Sequence, residues 1–485
     1  MGLGLILIFP ALAALLTLAS WRAAPWVTLA ATLGVLGVAI RDALSVAHGG
    51  TLHAAGGGLS LDPLAALYLL LVAFVGMTAA LYSIGYLRAR MAEHGDEASP
   101  PRYRQYFPLF NIFLGSILAV PVISDLALVW IAIELTTIFS AFLVAYEDRS
   151  ASLEAAWKYV ALTSMGAMIA LFGVLVLYYA INQQGQPVTW PGLAAAAPHL
   201  APALLLIPFV LWLVGFGAKA GLVPVHTWLP DAHSQAPASI CALLSGVETS
   251  AALYMLLRIY PALTANPGIA NPAIWYLVAG LITVATAAFL LLQVHDFKRL
   301  FAYSTVEHMG IIITACGLGA GGHQLGTVYQ LFGHALTKSF CFYAAGLATI
   351  VFATQRIAAT GGLISRVPWL GWALLVGALA IAGAPPFTLF VSEFEILRTG
   401  FAAGQYAATG LLTGLIVVAF IAILYQIGHI IFGEPATDND SPPMPLTGIA
   451  ALALAFLPVL VFGFYLPPPL DALIHHAALT LGGAS

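Results

Sequence analysis

The 485-residue chain is 61% hydrophobic and only 7% charged, and its formal net charge is −4. A soluble protein of this length separates its apolar segments with charged faces, so the composition excludes a soluble globular class and indicates a membrane protein. The net charge offers no basic surface for a nucleic-acid partner, and none is expected.

Apolar runs recur along nearly the whole sequence, and many reach the roughly 20 residues that cross a bilayer core of about 30 Å. They are continuous, whereas the strands of a membrane barrel alternate apolar and polar residues. The first run, residues 2–19, has no basic segment before it and no convincing cleavage site, which favours a retained helix. The sequence therefore predicts an all-α polytopic membrane protein, embedded in the lipid bilayer.

Hydropathy divides the chain into about fourteen membrane spans with short connections. In chain order the predicted spans are 2–20, 25–46, 62–87, 107–122, 124–146, 157–181, 202–222, 238–259, 272–292, 300–320, 324–352, 367–395, 404–432 and 444–467. The most polar stretches are 88–105 and the acidic 434–441. We find no soluble domain, so a nucleotide or a large redox centre would have to be bound by another subunit.

Lys and Arg residues fall mainly in the connections that follow odd-numbered spans. Those connections hold or border eleven of the sixteen cations, namely Arg22, Arg88, Arg90, Arg102, Arg104, Arg149, Lys158, Lys298, Arg299, Arg356 and Arg366. Even-numbered connections hold three: Arg41, Arg258 and Arg398. Because cytoplasmic loops carry an excess of Lys and Arg, we predict cytoplasmic odd-numbered loops, and both termini on the non-cytoplasmic side of the cell inner membrane.

Ionisable residues inside the predicted spans are few, and they are the first candidates for a functional site. They are Glu134, Lys219, Glu248, Glu307, His308, His334, Lys338, Glu393 and Glu395. A charged group at membrane depth costs several kcal/mol and is retained when it is paired, hydrated or functional. Any one of them alone is equally well explained by a structural ion pair or by a side chain that reaches the interface, but their number favours a charge pathway.

Histidines and cysteines do not form a metal-binding pattern. His226 and His233 lie near Asp231 after the seventh span, and without a carboxylate or thiolate cluster they favour a loop-ordering role over metal binding. The three cysteines lie in apolar segments without metal-ligand spacing and are expected to be small buried hydrophobic residues: Cys241, Cys316 and Cys341.

Prolines interrupt two of the predicted spans. Pro224 and Pro230 bracket the end of the seventh span, and Pro385 with Pro386 lies inside the twelfth. Interrupted helices are tolerated at membrane depth where the freed backbone groups are buried in protein or line water. Two breaks at corresponding positions of two halves are typical of an inverted repeat with a transport site.

The charged residues follow the same offset of five spans. Lys219 lies close to the first break and Glu393 close to the second. Glu134 lies two spans before the first break, and Glu307 and His308 lie two spans before the second. Residue identity between the halves is too low to prove a duplication.

Four stretches carry a resemblance to a known family: KAGLVPVHTWLPDAHSQAP, DFKRLFAYSTVEHMG, GHALTKSFCFYAAG and GAPPFTLFVSEF. Together they resemble the antiporter-like proton-pumping subunits of respiratory complex I, Mrp cation/proton antiporters and membrane-bound group 4 nickel-iron hydrogenases. The last three stretches are most similar to hydrogenase-4 component F. The resemblance covers about residues 100 to 430, and HTWLPDAH is its most specific part.

The resemblance implies fourteen helices, two inverted five-helix repeats with broken helices 7 and 12, and a hydrated chain of charged residues along the membrane centre. On this basis residues 1–105 hold helices 1–3, residues 106–260 the first repeat, residues 261–433 the second repeat, and residues 434–485 helix 14.

Individual residues match the family's motif positions. Glu134 resembles the fifth-helix glutamate, and Lys219 resembles the seventh-helix lysine that is paired with it. Glu393 resembles the twelfth-helix residue that is lysine or glutamate in relatives. His334 and Lys338 match the polar positions of the eleventh helix.

The eighth helix departs from the family pattern. Ser250 stands where a central lysine is usual, and Glu248 adds an acid two residues earlier. Two positions along an α-helix are about 200° apart, so Glu248 is not expected to take the place of that lysine.

The resemblance implies a proton-translocating subunit of a redox-driven complex, with other membrane subunits and a soluble redox module as partners. Lys219 would hold its proton while Glu134 is near and release it when that acid moves or is neutralised, and His308, His334 and Lys338 would relay the proton towards Glu393. No cofactor is expected in this chain, because it has no P-loop, CxxC array or haem motif.

Two alternatives remain from sequence. One is a proton-conducting subunit of a cation/proton antiporter or of a bicarbonate-uptake complex with a soluble zinc-bearing partner. The other is a structural subunit in which the missing lysine has ended conduction.

Overall fold

The computed structural model describes residues 2–93, 100–319, 322–434 and 443–482. Helices account for almost all of the ordered backbone in these ranges, with one short hairpin of β1 (Leu52–Ala54) and β2 (Leu59–Leu61). The acidic stretch 434–441 lies almost entirely outside the described residues.

The described ranges contain twenty α-helices. They are α1 Gly2–Ala19, α2 Ala24–Val46, α3 Pro63–Glu93, α4 Pro100–Val122, α5 Leu126–Val144, α6 Ser150–Gln183, α7 Trp190–Ala196, α8 Pro202–Ala220, α9 Trp228–Gln235, α10 Ala238–Leu243, α11 Thr249–Ala265, α12 Ala273–Leu291, α13 Phe297–Leu318, α14 Leu325–Phe352, α15 Leu363–Arg366, α16 Pro368–Ile381, α17 Thr388–Ala402, α18 Tyr406–Phe432, α19 Leu446–Phe464 and α20 Pro468–Gly482. A π-helical turn, Leu244–Glu248, joins α10 to α11, so that Ala238–Ala265 is one continuous helix.

Twelve helices of the described chain are long and apolar enough to cross a membrane. They coincide with twelve of the predicted spans, which confirms a multi-pass helical membrane protein. The two other predicted spans correspond to α13 and to the pair α16 and α17. The number fourteen therefore stays a prediction. Sequence analysis missed α20, which packs against α3 and α14.

Both predicted helix breaks are present. The first separates α8 from α9, where Gly221 adopts a left-handed conformation with φ of 80°. The second separates α16 from α17, where Gly383 has φ of 75°. Glycine suits both positions because it has no Cβ to clash in this conformation.

Connections predicted to share a side of the membrane contact one another. On the even-numbered side, Ser124 donates its backbone N–H to Gly58 and the Trp190 N–H bonds the Ser124 carbonyl. On the odd-numbered side, the loop at Asp296 pairs with the loop at Arg356. These contacts group five of the connections as the predicted alternation requires.

The core lies around two central helices. Every residue of the apolar 18-residue segment of Ala238–Ala265 is buried, and 94% of the corresponding segment of α14 is buried. In α1, α2, α18 and α19 the buried share of this segment is 33% or less. Large apolar side chains exposed on the peripheral helices face the lipid, where they are stable because lipid tails are equally apolar.

Two glycines allow α6 and α8 to pack closely. A Cβ added at Gly215 would lie 2.5 Å from the Gly166 carbonyl oxygen and 2.6 Å from the Ala170 nitrogen. Small residues at such crossings let helix backbones approach in membrane proteins. Gly215 lies four residues, or about one turn, before Lys219, so this contact also fixes the position of the lysine.

We expect Gly215→Val to destabilise the protein, because overpacking a close contact costs about 1–3 kcal/mol. Thermal unfolding of the detergent-solubilised protein measures the effect. Gly410→Val on α18 is the matched control, because a Cβ at Gly410 would meet no atom within 4 Å. Equal unfolding temperatures for the two variants would contradict the close packing.

Candidate functional site

A buried ion pair lies near the first helix break. Lys219 Nζ is 2.6 Å from Glu248 Oε1, and the side chains are 1% and 0% exposed. The ammonium also donates to Thr137 Oγ1 at 2.5 Å. A buried charge is strongly destabilising without a partner, so the two residues depend on each other.

Further polar groups surround the Glu248 carboxylate. Thr136 Oγ1 and the Tyr159 hydroxyl donate to Glu248 Oε1 at 3.1 and 2.9 Å. The Tyr159 hydroxyl also contacts Ser140 Oγ at 2.8 Å. Sequence analysis missed these residues, because single Thr and Tyr residues in an apolar helix give no signal of their partner.

The end of α8 holds Lys219 in place. Its last turn is closed by backbone bonds from Gly221 to Ala218 and from Leu222 to Gly217. Trp228, at the start of α9, donates its indole N–H to the Ala218 carbonyl at 2.8 Å. A cation in the last turn also interacts favourably with the negative end of the helix dipole.

The π-helical turn presents Glu248 to the lysine. A π turn contains an extra residue, which changes the directions of the side chains and leaves some carbonyls free for other donors. Ser250 meanwhile points back along its own helix and donates to the Gly246 carbonyl at 3.2 Å. Glu248 and Ser250 therefore face different partners, as their predicted angular separation required.

Glu134 is not the partner of Lys219, and the predicted pairing was wrong. Glu134 Oε1 accepts a hydrogen bond from Ser164 Oγ at 2.6 Å, on the side of α5 that meets α6. Thr137, three residues later, is the α5 side chain that contacts the lysine. The carboxylate supplied by the π turn occupies the position in which Glu134 was expected.

A second polar cluster connects α13, α14 and α17. His308 lies with one ring nitrogen, Nδ1, 2.9 Å from Gln330 Nε2, and Gln330 Oε1 accepts from Ser392 Oγ at 2.5 Å. The rings of His308 and His334 lie 5.3 Å apart. His334 Nε2 lies 3.0 Å from the Ser245 carbonyl of the π turn. One π turn thus contacts both polar clusters.

Lys338 is buried among neutral groups. Its ammonium donates to the Phe301 carbonyl at 2.7 Å and to Ser304 Oγ at 2.5 Å, both on α13. Within the described chain it has no ion pair. These hydrogen bonds stabilise the buried ammonium.

Glu393 lies against the second helix break. A Cβ at Gly383 would come within 2.1 Å of Glu393 Oε2, so the carboxylate fills the space beside the break. His308 Nε2 lies 3.0 Å from the carbonyl of Ile381, the last residue of α16. Each broken helix therefore ends near a basic side chain, Lys219 at α8 and His308 at α16.

The remaining candidates divide between interior and surface. Glu307 is buried, and its Oε2 has no hydrogen-bond partner in the described part of the chain. Glu395 forms an ion pair with Arg398, which is 65% exposed, so it does not join the buried cluster.

Asp231 anchors α9 at the first break. It forms ion pairs with Arg299 of α13 at 2.5 Å and with Lys158 of α6 at 3.1 Å. His226 and His233 are buried nearby. Among the residues that the structure describes, no group of three or more His, Cys, Asp or Glu side chains could hold a metal ion.

Comparison with known proteins identifies the family. A family model described as "NADH:quinone oxidoreductase/Mrp antiporter, TM" matches residues 124–420. The chain belongs to this family. A second model, described as "NADH-Ubiquinone oxidoreductase (complex I), chain 5 N-terminus", matches residues 53–107. The predicted resemblance to antiporter-like subunits is confirmed.

Relatives of this antiporter-like subunit include hydrogenase components. A hydrogenase-4 component F homolog of Methylacidiphilum infernorum (isolate V4) is 37% identical over 425 residues, covering 87% of this chain and 88% of the relative. Hydrogenase-4 component B of Escherichia coli (strain K12) is 29% identical over 430 residues, covering 83% of this chain and 62% of the longer relative.

The fold of the subunit is also found in a solved respiratory complex. A chain of the membrane-bound sulfane sulfur reductase, an archaeal respiratory membrane complex, superposes with a TM-score of 0.86 at 24% identity, covering 99% of this chain and 97% of that chain. At this identity the likeness shows the fold.

We expect Lys219→Met and Glu248→Leu each to lower the unfolding temperature, and the double variant to recover most of the loss. Removing one partner of a buried pair costs about 3–5 kcal/mol, whereas replacing both by apolar residues is often neutral. The measurement is thermal unfolding of the purified protein.

The exposed Arg398–Glu395 pair provides the control cycle, with Arg398→Met and Glu395→Leu. Such surface pairs contribute about 0–1 kcal/mol. A coupling energy for Lys219 and Glu248 no larger than that of this control would contradict the buried pair.

Proposed function

We propose that this antiporter-like subunit translocates protons through its buried charged and polar residues, driven by a redox reaction in the complex to which it belongs. The observation that carries the proposal is the buried Lys219–Glu248 pair beside a broken helix, with the π turn contacting both this pair and the histidine cluster. Relatives named as hydrogenase-4 components support a hydrogenase-like redox partner.

The ion pair acts as a switch for proton affinity. While Glu248 is ionised and within 2.6 Å, it stabilises the Lys219 ammonium. When Glu248 takes up a proton or moves away, the ammonium loses this stabilisation and releases its proton. Lys219 and Glu248 thus perform the roles that were predicted for Lys219 and Glu134.

The second cluster receives the proton. His334 lies next to the π turn, His308 next to His334, and Gln330 connects His308 to Ser392 on α17. Glu393 follows Ser392 directly and faces the second break. Lys338, on the same helix α14 as His334, points towards α13. Histidine suits this relay because one ring nitrogen can accept a proton while the other donates one.

Translocation needs a partner that supplies energy. Moving one charge across the membrane exchanges about 2.3 kcal/mol per 100 mV. We infer that other membrane subunits of the complex, and a soluble redox module attached to them, provide it. A zinc-bearing soluble partner would instead indicate the alternative of bicarbonate uptake.

The two halves form inverted five-helix repeats in our proposal, residues 106–260 and 261–433, with residues 1–105 and 434–485 outside them. The support is that α8 and α9 are separated at Gly221, and α16 and α17 at Gly383, where both glycines have positive φ and lie five predicted spans apart.

To test the function, the chain is tagged, the native complex is purified and its subunits are identified, and proton uptake per turnover is measured in vesicles. We expect Glu248→Gln and Lys219→Ala to abolish proton uptake, because each removes one half of the switch. Glu154→Gln makes the same chemical change at a side chain that is 65% exposed, and it should retain uptake.

Normal proton uptake by both Glu248→Gln and Lys219→Ala, with the complex assembled, would contradict the proposal. It would favour the non-conducting structural role.

The proposed orientation has its own test. Ser150 and Thr51 are exposed on opposite faces, and the three native cysteines are buried. We expect a membrane-impermeant maleimide to label Thr51→Cys only from the non-cytoplasmic side and Ser150→Cys only from the cytoplasmic side. The reverse pattern would overturn the orientation.

A further inference from the structure

A stripe of polar residues runs along α11 away from the buried ion pair. Ser250, Tyr254 and Arg258 lie four residues apart on one face of the helix. Ser250 and Tyr254 are fully buried, and the Arg258 side chain is 8% exposed. Ten residues separate Glu248 from Arg258, which is about 15 Å along a helix. This is about half of a bilayer core, so the stripe reaches from the pair to one surface.

Two tyrosines fill the seam between α3 and α11 along this stripe. Tyr254 stacks on Tyr68 of α3, with ring centroids 5.2 Å apart and an interplanar angle of 19°. The Tyr68 hydroxyl donates to the carbonyl of Val247, the residue before Glu248. The seam therefore places two phenol groups between the ion pair and Arg258.

An ion pair closes the outer end of the seam. Arg258 contacts Asp62, which lies just before α3 and is 21% exposed. The guanidinium lies between the rings of Trp190 and Tyr254, 5.2 and 5.3 Å from their centroids. This end belongs to the face formed by the even-numbered connections.

Three buried polar atoms along the seam lack hydrogen-bond partners within the described ranges. They are Glu248 Oε2, the Tyr254 hydroxyl and Arg258 Nε. Leaving such a group unsatisfied is costly, and ordered water commonly satisfies it. Glu248 Oε2 at the inner end of the seam, with the Tyr254 hydroxyl and Arg258 Nε nearer the surface, therefore marks a route that water can enter.

We propose that the seam between α3 and α11 is an outlet through which Glu248 exchanges protons with the non-cytoplasmic surface, with Arg258 and Asp62 as its gate. The inference rests on the proposed function and deepens it. It gives the first half of the chain its own connection to that surface.

The chemistry of the seam suits proton passage. A proton leaves the Glu248 carboxyl for a water in the seam, and each water or hydroxyl then accepts one proton and donates one, so none stays bound. Tyrosine hydroxyls both donate and accept, and therefore pass protons without ionising. When Arg258 moves aside, the Asp62 carboxylate accepts the proton and releases it to bulk water.

The test uses Tyr254→Phe in the assembled complex. This change removes one hydroxyl and keeps the ring stacked on Tyr68 and under the Arg258 guanidinium, so unfolding temperature should change little while proton uptake per turnover falls several-fold. The matched control is Tyr276→Phe, whose hydroxyl donates to the Leu256 carbonyl of α11 away from the stripe. It should keep full uptake.

A second measurement reports on access without turnover. We expect Tyr254→Cys to react with a small impermeant thiol reagent from the non-cytoplasmic side, faster when combined with Asp62→Asn, and Tyr276→Cys to stay unreactive.

Lys219→Ala separates the two proposals. If it abolishes uptake while Tyr254→Phe has no effect and Tyr254→Cys stays unlabelled, the outlet is overturned and the proposed function stands. If Lys219→Ala also has no effect, both are overturned.

Discussion

The need to neutralise an ammonium group inside a membrane determines much of this structure. Lys219 is held at the end of a broken helix, and a carboxylate must meet it there because an unpaired buried charge costs several kcal/mol. The close contact of α6 with α8 fixes the height of the lysine, and the π turn supplies Glu248. Thr137 then accepts a hydrogen bond from the ammonium, and Tyr159 donates one to Glu248 Oε1. The helix break, the π turn and the polar residues of α5 and α6 thus serve one ion pair.

The spans and both breaks could be predicted from sequence because they depend on local properties. Twenty apolar residues suffice to cross a bilayer, and proline interrupts a helix wherever it removes the backbone donor. The alternation of loops between two faces follows from the order of the spans. The helix α20 was missed because it is short and follows proline-rich sequence after the last apolar run.

The partner of Lys219 could not be predicted in the same way. An ideal α-helix gives the direction of each side chain from its position, but a π turn changes that direction and leaves no reliable mark in the sequence. The family resemblance predicted Glu134 as the partner. Glu134 lies on α5, the helix that does contact Lys219, but its carboxylate faces Ser164. Gln330 and Ser392 were likewise missed, because uncharged residues that connect titratable groups become visible only when their helices are packed together.

The burial of the apolar segment of Ala238–Ala265 and of nearly all of that of α14 has a consequence for where polar residues can stand in such subunits. A polar substitution on a helix that touches lipid is penalised on every face that the lipid covers, whereas these two helices have no such face. Ionisable groups can therefore be gained, lost or moved by a few positions along them during evolution without a lipid penalty. Ser250 and Glu248, two residues apart on this buried helix, have different partners, so position along the helix is a poorer guide to the charge pathway than the packed interior itself.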